Sequence, residues 1–69
     1  MTNVSILRGK IAECNTTQEA VANAMGINRS TFYRKMKEEG KFFTIEEVQK
    51  MAKILSLNEE DIMKIFFAL

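Results

Sequence analysis

The chain has no histidine, proline or tryptophan, and only a single cysteine and three glycines among its 69 residues. Each shortage closes a class of function. Without histidine, and with one cysteine, there is no obvious base–nucleophile pair, no zinc-finger ligand set and no disulfide framework. No glycine-rich run is present to cradle a phosphate. Nowhere do 18 apolar residues run together, so no membrane span is expected, and the opening MTNVSILRGK is too polar for a signal peptide. The compartment that best fits one thiol is a reducing cytoplasm. The acidic groups Glu38-Glu39, Glu46-Glu47 and Glu59-Glu60-Asp61 are explained by helix ends and solvated surface without invoking a metal. These absences argue against an enzyme and call for no cofactor, metal or small-molecule substrate.

What is present is a chain rich in helix formers, with 46% apolar residues and no repeat or low-complexity tract. A chain of this size buries only about 60% of its unfolded surface, so residues 1–69 are expected to form one domain with no separate ligand-binding or oligomerisation module. The predicted fold is all-α, a compact bundle of five short helices. Net charge is only +1, yet its distribution is uneven. Residues 1–28 carry two basic and two acidic side chains, and residues 42–69 carry three and five. Between them, Arg29, Arg34, Lys35, Lys37 and Lys41 face only Glu38 and Glu39. Positive charge gathered on one short segment fits a nucleic-acid-facing surface with an acidic back. A solvated helix surface would look the same by charge alone.

Helical spacing organises the chain. Thr2 or Asn3 is placed to cap a first helix reaching about Cys14, with Val4, Leu7, Ile11 and Cys14 on its buried side. Gly9 within it implies close approach by another helix, and Cys14 is read as packing rather than as a redox thiol. Thr16 and Thr17 precede a second helix, Gln18 to Met25, whose buried stripe is Val21 and Met25, with Ala22 small enough to let another helix cross. Gly26 stops it in the left-handed backbone common after a helix C-terminus. Asn28 caps the next helix, Arg29 to about Lys37. Phe32 and Met36 share one face of it, Ser30, Arg34 and Lys37 point away, and Tyr33 lies on the flank. A helix anchored by an aromatic ring and a thioether, and showing water Arg, Lys, Ser and Tyr, suits the major groove.

Thr44 and Glu47 then match a capping box, and Phe43 with Val48 a hydrophobic staple. The helix that follows should bury Ile45, Val48, Ala52 and Leu55, with Met51 beside them. Leu57 and Asn58 open the last helix, where Glu59, Glu60 and Asp61 suit the positive end of the dipole. Its stripe is Ile62, Ile65, Phe66 and Leu69. Met63 and Phe67 fall beside that stripe and, like Phe42, read either as dimer contacts or as parts of a core that wraps the helix more fully.

The order TQEAVANAMGINRSTFYRK resembles the helix-turn-helix of the phage Cro and repressor family. Gln18 and Glu19 open its first helix, Ala22 is at the crossing, Gly26 in the turn, and bulky Phe32 in the second helix. FTIEEVQKMAKILSL and IMKIFFAL resemble the later helices of small phage regulators, so the likeness covers nearly the whole chain. The position three beyond Phe32, usually apolar in that family, is Lys35 here, and Met36 takes its place. The resemblance implies a helix-turn-helix from helices two and three, double-stranded DNA as partner, and a homodimer on a near-palindromic operator. It places Arg29, Ser30, Tyr33 and Arg34 at base-reading positions and Thr17 and Gln18 at a phosphate clamp. Lys35, Lys37 and Lys41 become phosphate contacts, and Phe42 and Phe67 candidate dimer contacts. The plainer readings are an ordinary first-turn residue for Gln18 and an i,i+4 ion pair with Glu38 for Arg34. Because helix-turn-helix scaffolds also serve in antitoxins and protein-binding modules, an antitoxin or anti-repressor is the alternative function.

Overall fold

The computed structural model describes residues 2–38 and 43–67. Five helices follow one another, α1 Val4–Glu13, α2 Gln18–Met25, α3 Arg29–Lys37, α4 Ile45–Ile54 and α5 Glu59–Phe66, with no strand among the described residues. The fold is therefore the all-α bundle that the spacing predicts.

Each helix begins on a side chain that accepts a backbone N–H the helix itself leaves unpaired. Asn3 accepts from Ile6, Thr17 from Ala20, Asn28 from Ser30, Thr44 from Glu47 and Asn58 from Asp61. At Thr44 the bond is reciprocated by the Glu47 carboxylate, completing the expected box, and Asn58 with Asp61 forms a second one. Three helices end alike. The amide of Asn15 donates to Ala12 and that of Thr16 to Ile11; Gly26 and Ile27 donate to Asn23 and Ala22; Ser56 and Leu57 donate to Lys53 and Ala52. Each is a Schellman closure turning on a left-handed residue, Asn15 at φ 55°, Gly26 at 78° and Ser56 at 52°. Gly26 takes this backbone freely and Asn15 is a residue type that tolerates it, whereas at Ser56 the Cβ disfavours it.

The core is one cluster drawn from all five helices, with Leu7, Val21, Ala22, Phe32, Met51 and Ile65 wholly buried. Helix α2 packs against both α3 and α4, while α1 packs against α5 and α2. Ala22 is sealed, as a small residue between closely approaching helices should be. The amide of Asn3 donates to the Ile65 carbonyl and ties the start of α1 to α5.

Three expectations are corrected. Ile45 is 79% exposed, because the buried side of α4 centres on Met51 and Leu55, and at roughly 100° per residue Ile45 points about a quarter-turn or more away. Cys14 is exposed at the C-cap of α1, one position past the last helical residue, where the apolar stripe has run out of neighbours; its Sγ reaches only the Leu55 carbonyl at 3.5 Å. Gly9 admits no close helix, for a Cβ there would meet nothing within 4 Å. Met63 at 38% and Phe67 at 57% exposure are not enclosed, so the core does not wrap α5. Leu69 and Phe42 lie outside the described residues.

Candidate nucleic-acid interface

The basic segment folds as α3, and its side chains sort by angle. With about 100° between successive residues, Arg29, Tyr33, Lys37, Ser30 and Arg34 fall in that order across an arc of about 140°, and all of them are exposed. Phe32 and Met36, at 0% and 2% exposure, lie outside the arc on the Arg29 side, about 60° and about 20° beyond that residue. Tyr33, expected on the flank, stands well inside the exposed arc. Met36 serves as the second core anchor, as its place beyond Phe32 implies. Within the arc α3 itself contributes only cations and hydroxyls, and among the described residues the one carboxylate that pairs with it is Glu19 of α2, at Arg29.

Pairing divides these groups further. Among the described residues, Arg34, Lys37, Ser30 and Tyr33 form no side-chain hydrogen bond or ion pair, and Arg34 does not bridge to Glu38. Arg29 is held across the turn, its Nη1 2.9 Å from Oε2 of Glu19 at the start of α2. That bond joins the N-terminal tips of the two helices and sets Thr17 and Gln18, which open α2, beside the same surface. Thr17 uses its hydroxyl to cap α2, while Gln18 is half-buried with no side-chain hydrogen bond among the described residues.

Lys35 is placed differently from its neighbours. Its Nζ donates to both oxygens of Glu47, at 2.7 and 2.8 Å, and the two side chains are only 12% and 14% exposed. The ammonium also stands 5.8 Å from the centroid of the Phe43 ring, which meets Phe32 at 5.7 Å. Burial works to raise the Glu47 carboxyl, but hydrogen bonds from Lys35 and from Thr44, with the ammonium's charge, outweigh it and hold the group below its usual value. One carboxylate thus caps α4 and fastens α3 to it. Lys35 belongs to this clamp and is not positioned as a phosphate contact. The clamp joins residues 12 apart in the chain; the only hint in the sequence is a lysine where an apolar residue would be usual. Lys41 lies outside the described residues.

A groove of about 460 Å³ lies at the other end of α2, lined by Met25, Gly26, Lys50, Lys53 and Ile54 among others. Lys50 donates to the Met25 carbonyl at 3.3 Å and pairs with Glu46 at 3.4 Å. Among the described residues no three His, Cys, Asp or Glu side chains gather where they could hold a metal ion, and no helix is long and apolar enough to cross a membrane.

A family model described as "Protein of unknown function (DUF739)" matches residues 2–68. The chain belongs to the DUF739 family. No curated protein and no solved structure matches it. In this DUF739 chain the matched span takes in all five helices and both faces of α3.

Proposed function

We propose that this DUF739 chain is a sequence-specific DNA-binding regulator that lays α3 in the major groove. It would act in the bacterial cytoplasm, in the manner of the small phage and prophage Cro-like repressors it resembles. The observation that carries this reading is the exposed arc of α3, where Arg34 and Lys37 have no partner among the described residues and stand with Ser30 and Tyr33, while Phe32 and Met36 anchor the helix in the core. Unpaired Arg can bond both acceptors of a guanine, Ser serves several bases, and Tyr33 reaches either base edge or backbone. Gln18 and Thr17 at the tip of α2 supply phosphate contacts, and Lys37 supplies another at the far end of α3. Phe67, exposed on α5, is offered as a contact in a homodimer spanning half-sites about 34 Å apart. Repression would follow from occluding polymerase.

Selection of bound duplexes from a random DNA pool tests this. An enriched inverted repeat is expected, with affinity falling steeply as salt rises. A second reading, a module that binds a protein such as an antitoxin's partner, draws on the exposed Met63 and Phe67. It replaces the first if no duplex is enriched at low salt.

A further inference from the structure

Glu19 is an oddity on this surface: a carboxylate placed where a polyanion would dock. It is 47% exposed, and its contact is the Nη1 of Arg29, itself 60% exposed. A guanidinium has five N–H donors in a rigid fork, and one bond to Glu19 leaves the rest available. The pair as a whole is neutral, so it adds little to attraction for phosphates of arbitrary sequence. It does fix where a long and otherwise mobile side chain points. We propose that Glu19 is a positioning residue for specificity: it holds Arg29 in one orientation, so that the free donors meet the O6 and N7 acceptors of a guanine, and it denies Arg29 to phosphates at large. This rests on the DNA-reading function proposed above.

The logic is that of orientation: a carboxylate that occupies one edge of the Arg29 guanidinium withholds it from phosphates and leaves its remaining donors for a matched base. A plain helix-dipole role for Glu19, in the first turn of α2, predicts a change in stability alone. Exposed ion pairs contribute little to folding, so removing this one should leave the domain folded.

The test compares wild type, Glu19→Ala, Glu19→Gln, Arg29→Ala and the double variant Glu19→Ala/Arg29→Ala. Each is titrated with the duplex selected by wild type and with an unrelated duplex across a range of salt. For Glu19→Ala, affinity for the unrelated duplex should rise about three- to tenfold and the salt slope steepen by about one phosphate contact. The ratio of selected to unrelated binding should fall about tenfold. Glu19→Gln, which keeps an acceptor for Arg29, should fall between. In the Arg29→Ala background, removing Glu19 should leave the ratio unchanged, which separates positioning from simple loss of a negative charge. An unchanged ratio in Glu19→Ala, equal losses on both duplexes, or the same ratio change without Arg29 would each overturn the inference while leaving DNA reading intact. If wild type enriches no duplex at all, the DNA reading falls and this inference falls with it.

Discussion

The α2–α3 pair and the α1–α5 pair treat their charges in opposite ways. At the α1–α5 end, Lys10 lies 3.6 Å from Glu13 and 3.4 Å from Asp61, and Lys64 lies 2.9 Å from Glu60. These carboxylates draw both lysines above their ordinary values against a desolvation that works the other way. Lys10 and Lys64 are thus compensated within the fold, and that end leaves the apolar Ile6, Met63 and Phe67 exposed beside Arg8. At the α2–α3 end the large aliphatic side chains and Phe32 are enclosed, and Arg34 and Lys37 have no partner among the described residues. The difference teaches that a net charge of +1 says little about partners, because one surface has its cations internally compensated and another presents them.

Within α3 the same contrast holds between adjacent residues. Arg34 and Lys35 are chemically similar, yet Lys35 is nearly buried against Glu47 while Arg34 stands in solvent. The core side of the helix is the foundation of the exposed side, and breaking it should have the largest effect. Phe32→Ala is expected to cost about 3–5 kcal/mol of stability in urea unfolding, since the ring is fully enclosed. In a domain this small it should abolish any DNA affinity at 37 °C.

The clamp comes next. Glu47→Gln should cost on the order of 2 kcal/mol, between the values for exposed and fully buried pairs. It should also change how stability depends on acid. The folded carboxyl is held below its ordinary value of 4.5. Its contribution is therefore complete above that unfolded value and is lost as pH falls through the lower, folded one. Wild type should show that loss in acid unfolding, and the Gln variant should lack this part of it. An identical pH profile in both would remove the clamp from the account.

Smaller effects sharpen the contrast between the two ends. Lys37→Ala should weaken binding to all duplexes alike, by about 1 kcal/mol, and reduce the salt slope by about one, whereas Lys64→Ala should leave both unchanged. Equal losses would mean that charge location does not matter. Smallest in magnitude and opposite in sign, Gly9→Ala should raise stability by about 0.5–1 kcal/mol, because a Cβ meets nothing there and the glycine only weakens α1. A loss in thermal unfolding would restore the close approach that the sequence led us to expect.

What was legible in the sequence was local. Thr17, Asn28 and the Thr44–Glu47 box announce their helices because a cap and its target lie within three residues. The arc of α3 follows from periodicity once its first residue is placed. What was not legible depends on neighbours distant in the chain. Periodicity within α3 turns Lys35 toward the core side and Arg34 away from it, but the Lys35–Glu47 clamp joins two helices, and nothing in α3 says which carboxylate meets that lysine. Cys14 fits the apolar stripe of α1 by spacing but sits at its C-cap where no partner covers it, and Ile45 is turned away from the side of α4 that the other helices cover. The left-handed Ser56 is imposed by how α4 must turn, against the preference of the residue itself.

The central claim is that the exposed arc of α3 reads base sequence. It is tested most directly by selecting duplexes from one random pool with wild type and with Arg34→Ala in parallel. The account predicts an inverted repeat for wild type. For the variant it predicts the same repeat with preference lost at one position of each half-site, a penalty of about 1–3 kcal/mol there. An unaltered preference at every position in the variant would contradict it.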